Sequence, residues 1–219
     1  FLENKFENKL VQSWNIGVGN YFDCINRNIF DKNFCVLKGF LSGFQKKDFK
    51  KSLKMNSQNI RENDIFIKSN LRLNSKKKSI FFQRYLVSKI LNEKYGLKDI
   101  EKRINHKKYL KSLANSKVSV GSFGWGEICY REFEAVTMGA CVIFPDISYI
   151  KTWPNIYKNN ENCLMYDFDL QNLEEKINEV LTNEKLRINL VKNSQNELQN
   201  VYKETGLNYI LEFLKKITE

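Results

Sequence analysis

The sequence predicts an α/β fold: a Rossmann-like parallel sheet flanked by helices over residues 61–219, with residues 1–60 as a partial N-terminal domain and linker. Three observations predict it. Residues 121–146, GSFGWGEICYREFEAVTMGACVIFPD, read as glycine loop, helix, glycine and strand directly after the short strand Val118-Ser119-Val120. That is the layout of one parallel-sheet unit with a crossover helix. Short apolar runs alternate with segments of helical period from residue 61 onward. Amphipathic segments then close the chain without a further strand signal.

The elements follow in order. Residues 1–60 interleave aromatics with Asn and Lys (FLENKF, SWNIGVGNYFDC, NFCVLKGFLSGF) at weak periodicity, which predicts irregular structure with short helices. Residues 64–68, DIFIK, read as a short buried strand, followed by a polar stretch ending in Lys76, Lys77 and Lys78. From 80 to 95, Ile80, Phe81, Tyr85, Leu86, Ile90 and Leu91 fall at helical spacing, and Gly96 suits the C-cap. Residues 106–115 predict a helix with Tyr109, Leu110 and Leu113 on one face, leading into a strand at 118–120. The next helix spans 128–138, burying Ile128, Phe133, Ala135, Val136 and Met138 and ending at Gly139. Residues 141–144 form the following strand, stopped by Pro145. After an Asn-rich loop, helices are expected at 170–181, 184–202 and 207–217. The first two open with acidic residues that suit the positive end of the helix dipole.

Composition narrows the class. With 42% hydrophobic and 28% charged residues the chain is globular, and no run approaches the roughly 18–20 apolar residues of a membrane span. The chain opens on Phe1 rather than Met and reads as a fragment. A net charge of +11 attracts polyanions, but Lys carries most of it and no RRM, zinc-finger or leucine-zipper signature occurs. No nucleic-acid partner is therefore expected, although the charge suits weak association with an acidic membrane surface. Five cysteines without a CxxC pair, and the single His106, give neither a disulfide framework nor a metal site, so a reducing, cytoplasmic location is expected. His106, in the polar run RINHKKY, reads as a solvated surface residue. The dinucleotide fingerprint fails because Cys129 stands where Gly124-x-Gly126 requires a third glycine, and no P-loop occurs. Conventional dehydrogenases and P-loop kinases are excluded.

Ligands of open α/β sheets bind beyond the strands' carboxyl ends. There Gly121, Gly124 and Gly126 would let backbone approach a ligand and present amides at a helix N-terminus, which favours a diphosphate. Arg131 could pair with phosphate, and Arg84 and Lys76 to Lys78 are further candidates. Glu127 and Glu134 could accept hydrogen bonds from sugar hydroxyls, and Phe123 or Trp125 could stack on a base. Equally, the glycines could form a tight turn, Glu127 cap the helix and the aromatics fill the core. Spacing alone leaves both readings open.

The run SKVSVGSFGWGEICYREFEAVTMGACVIFPD resembles the nucleotide-sugar-binding signature of GT-B-fold glycosyltransferases, of the group-1 and exostosin-like kinds. Glu134-Ala135, followed by Gly139 and the apolar strand, matches the spacing of that family's core. The resemblance implies that residues 61–219 are the C-terminal nucleotide-sugar-binding domain of a metal-independent, cofactor-free enzyme. Its donor would be a nucleotide diphosphate sugar and its acceptor a glycan or lipid-linked molecule. It further implies donor-binding roles for Ser122, Phe123, Gly124, Trp125 and Gly126, with Glu134 on the ribose hydroxyls. Glu127 and Arg131 would be catalytic. Many retaining members carry two glutamates separated by seven residues; here Gly126 holds the first position and Glu127 lies one residue closer to Glu134. Two other classes fit parts of the sequence: a non-catalytic sugar-nucleotide or anion-binding module, and a basic protein that binds RNA or a membrane surface.

Overall fold

The computed structural model describes residues 61–71, 78–124, 129–149 and 156–202. Expectations for residues 1–60, for the Lys76 to Lys78 side chains, for Trp125, Gly126, Glu127 and Ile128, and for a helix at 207–217 lie outside the described residues.

Among the described residues nine elements follow one another: β1 (Asn63–Phe66), α1 (Lys78–Tyr95), α2 (His106–Ala114), β2 (Ser116–Val120), α3 (Tyr130–Met138), β3 (Cys141–Pro145), β4 (Leu164–Tyr166), α4 (Leu173–Thr182) and α5 (Glu184–Tyr202). The strands make one parallel sheet in sequence order, β1-β2-β3-β4, with Ile65 beside Val118, Val118 beside Cys141 and Ile143 beside Leu164. The expected parallel sheet flanked by helices is therefore present, with β2 and β3 at its centre and α3 crossing between them.

Period-two alternation divides the core between the two faces of the sheet. Ile65, Val118, Val120, Cys141, Ile143, Leu164 and Tyr166 pack with Val87 and Leu91 of α1 and with Leu173, Ile177 and Val180 of α4. Residues of opposite parity, such as Phe66 and Phe144, meet Tyr109 of α2 and Tyr157, whose ring also contacts Phe133 of α3. Burial on both sides suits the continuous apolar runs of β3 and β4, CVIFP and LMY.

Caps and a guanidinium tie the helices to the sheet. Gly139 ends α3 in the left-handed region at φ 72°, and Gly96 follows α1 at φ 66°, both positions suiting a residue without Cβ. At the amino edge of the sheet, Arg61 donates to the carbonyls of Ala114, Ser116 and Met138, so one cation serves the carboxyl ends of α2 and α3. Burial, and then the charge of Arg187, lower its pKa.

Three expectations need correction. Strand β4 was not foreseen; it lies within the stretch read as an Asn-rich loop and is too short for a period to show. Tyr85 is exposed, because α1 turns Gln83, Val87 and Leu91 inward instead, one helical turn apart. Helix α4 begins at Leu173 rather than 170, since Leu170 takes φ 67° and cannot start a right-handed turn. No described helix is long and apolar enough to cross a membrane.

Candidate functional site

Parallel strands bring all their carboxyl ends to one edge, where the loop after β2 lies between those after β1, β3 and β4. The first three residues of that loop are anchored bond by bond. The Gly121 amide donates to the Ile143 carbonyl at 2.6 Å, and the Gly121 carbonyl accepts from the Tyr166 hydroxyl at 2.8 Å. Gln83 donates to that same hydroxyl and accepts from the Phe123 amide at 3.1 Å. The Ser122 hydroxyl lies 3.4 Å from that of Ser69, both buried. Two guanidiniums then take consecutive carbonyls: Arg131 donates to Ser122 O at 2.5 Å and Arg84 Nε to Phe123 O at 2.7 Å.

Arg131 is held from its other side by its neighbour in sequence. Its Nε and Nη2 donate to Glu132 Oε1 at 2.9 and 2.6 Å, and Glu132 Oε2 accepts from the Cys129 amide at the start of α3. Glu132 is 2% exposed and Arg131 13%, so this is a buried ion pair that also closes a capping box. Burial, the largest single influence, lowers the Arg131 pKa; the charges of Glu132, Cys129 and Tyr109 and the hydrogen bond to Glu132 together outweigh it, and the net shift is upward. Arg84 shifts downward through burial and then through the nearby Arg131 charge. Arg131 is thus paired with the buried carboxylate while the nearby Arg84 bonds only carbonyls, and the excess positive charge suits an anion.

Gly121 is required by this pair. A Cβ there would stand 2.8 Å from Glu132 Oε1 and 3.0 Å from the Phe144 Cβ. Close approach at Gly121 is therefore made by protein atoms, and the Gly121 and Phe123 amides are already committed within the fold.

Beside this loop a cleft of about 550 Å³ opens between the continuation of β1 (Lys68, Ser69, Asn70) and the 100–104 segment, with Tyr109 in its wall. Burial raises the Tyr109 pKa, and the adjacent Glu134 charge raises it further. Glu134 itself, mid-helix on α3 and 23% exposed, accepts from His106 Nε2 at 2.9 Å. His106 is 70% exposed, as its polar surroundings suggest, yet it is partnered.

Of the residues singled out from sequence, Ser122, Phe123, Gly124, Arg131 and Glu134 come together at this edge, and Arg84 joins them from α1. Phe123 lies 5.9 Å from Phe168 across the loop mouth. Trp125, Gly126 and Glu127 lie outside the described residues. Sequence reasoning missed Gln83, Glu132 and Tyr166, which hold the loop, and Ser69 and Tyr109, which line the cleft. The available signals were slight: a Gln within an apolar helical stripe, and a Glu three residues after a helix start. Cys141 behaves as expected of a small buried hydrophobe, its thiol pushed up to about 12 by burial. Among the described residues no three His, Cys, Asp or Glu side chains come together as a metal ion would need.

The sheet edge with its anchored loop, paired arginines and adjoining cleft defines an α/β ligand-binding domain. The chain belongs to the glycosyl transferase-like family, whose model matches residues 81–205, and the resemblance read from the segment around Glu134 holds at that level. A mutant of S. aureus TarM, solved in complex with fondaparinux, α-GlcNAc-glycerol and UDP, is similar at 15% identity and a TM-score of 0.49. The match covers 74% of this chain and 37% of that one, so the chain spans little more than a third of that protein's length. No curated protein is significantly similar to the chain.

Proposed function

We propose that this chain is the donor-binding part of a glycosyltransferase that moves a sugar from a nucleotide diphosphate to a glycan or lipid-linked acceptor. Residues 61–219 form the nucleotide-sugar domain in this reading, and residues 1–60 belong to the acceptor side. The observation that carries it is the pair of arginines anchored on consecutive carbonyls beside a cleft whose far wall leads to Glu134.

In this reading the nucleoside enters the cleft, and Glu134 accepts hydrogen bonds from the ribose hydroxyls. The diphosphate lies along the 121–124 loop. Arg131 spends Nε and Nη2 on the fold, leaving Nη1 for phosphate. Arg84 likewise uses Nε and Nη1, leaving Nη2. Because both guanidiniums are fixed beforehand, little reorganisation is needed as negative charge builds on the departing diphosphate. Fixed cations of this kind do the work that a metal ion does in other sites, so the proposed chemistry runs without a resident cofactor. Glu127 and the donor-side contacts of Phe123, Gly124, Trp125 and Gly126 belong to the same proposal, as does action at the cytoplasmic surface of a membrane.

Titration calorimetry with UDP and GDP, and donor turnover with their sugar conjugates, test the reading. Glu134→Gln keeps the shape but weakens a charge-assisted contact, so affinity and turnover should fall at least about tenfold while heparin binding is unchanged. Binding without turnover would leave a sugar-nucleotide module. No binding by the parent chain, or full activity of the Gln variant, would refute the assignment of Glu134 and this donor site.

A further inference from the structure

Glu134 is held by the only histidine of the chain. His106 is the first residue of α2 after the Asn105 cap, whose Oδ1 accepts from the Lys108 amide at 2.8 Å. That cap fixes the first helical turn and with it the His106 backbone. The imidazole stacks on Tyr109 with centroids 6.1 Å apart and planes 11° from parallel. Tyr109 meets Phe66 of β1 edge-on at 5.2 Å, so the ring is registered to the sheet through two aromatic contacts. Since a carboxylate only accepts, the 2.9 Å contact to Glu134 Oε1 requires the proton on His106 Nε2.

We infer that His106 is a positioning residue for the donor's ribose, acting through Glu134; the inference rests on the donor-site reading above. The terminal torsion of a glutamate is broad, and without a partner the carboxylate samples a wide arc. Tying Oε1 to a ring that is stacked in place, beside the Tyr109 hydroxyl that also bonds the Glu134 carboxylate, removes that freedom and leaves the carboxylate's remaining lone pairs to accept from the vicinal hydroxyls. The cost of ordering the carboxylate is met before the ligand arrives, which tightens binding without a new ligand contact. A stability role is a poor account of the same bond, because an ion pair with one partner 70% exposed adds little to folding.

The test uses the full chain, with UDP and GDP and their 2′,3′-dideoxy analogues as calorimetric probes. His106→Phe keeps a ring on Tyr109 and removes the donor; His106→Gln restores a donor near the same place. For the diphosphate that binds, His106→Phe should weaken affinity about 3- to 10-fold, the span expected of one partly exposed hydrogen bond acting on a charged acceptor. Affinity for its dideoxy analogue should be unchanged, since that ligand lacks the hydroxyls His106 serves. The Gln variant should recover most of the loss, and melting temperatures should stay together. Equal weakening of both ligands, or of neither, overturns the positioning role while leaving the donor site standing. A parent chain that binds neither diphosphate, or does not distinguish it from its dideoxy analogue, overturns the ribose-site reading and this inference with it.

Discussion

Glu132→Gln removes one negative charge from a carboxylate 2% exposed, whose Oε1 takes both Nε and Nη2 of Arg131. The guanidinium left behind is 13% exposed and loses its carboxylate partner. Deleting one partner of a buried pair costs about 3–5 kcal/mol, mostly for the stranded charge. Glutamine can still accept from the Cys129 amide, now 2.8 Å from Oε2, so the cap survives and the loss is confined to the pair. Taking the lower figure, at about 2–4 °C per kcal/mol for a domain of this size, the melting temperature should fall about 6–12 °C. Scanning calorimetry reads the shift directly. Arg131→Met combined with Glu132→Gln removes both charges and should recover most of the loss, because the penalty belongs to the unpaired cation. A Gln variant melting within about 2 °C of the parent would refute the reasoning. So would a double variant as unstable as the sum of the singles.

Two further outcomes are expected. Gly121→Ala places a Cβ against Glu132 Oε1 and Phe144, neither of which has room to move, and should cost about 1–3 kcal/mol in urea denaturation; an unchanged midpoint would mean that the loop relaxes freely. Alkaline pH should destabilise the fold. Burial pushes the Cys141 thiol from its ordinary 9.0 up to about 12, and Cys163 and Tyr166 move in the same direction through burial. Above pH 9 the unfolded chain therefore releases protons that the native state keeps, so stability present below that pH declines towards pH 12. Denaturation series at pH 8 and about pH 10.5 check the slope, and a flat profile would contradict the burial of these groups.

The unit from β2 to β3 was legible because its signals are local. Alternating apolar residues at Val118 and Val120, a left-handed Gly139 after Met138, and an apolar run ending at Pro145 are each decided within a few residues of chain. The same is true of α2 and α5, whose predicted and observed bounds nearly coincide. Strand β4 had no such signal. Three residues carry no period, and Leu164–Tyr166 is a strand because Ile143, Phe144 and Pro145 present an open edge beside it.

The site divides along the same line. Ser122, Phe123, Gly124, Arg131 and Glu134 could be named because they share one loop and the helix that follows it. Which carboxylate of that stretch is buried on Arg131 could not be read, since the choice depends on how α3 sits against Gly121 and Phe144. Arg84 reaches Phe123 across 39 residues of chain, Tyr166 reaches Gly121 across 45, and the cleft joins segments some thirty residues apart. Chain-local chemistry sets helix, strand and cap within a turn or two, so sequence alone determined the α/β plan and the glycine loop after β2. Only the parallel register of the sheet, satisfied by pairings between distant residues, decided which polar side chains meet at its carboxyl edge and which remaining donors face outward.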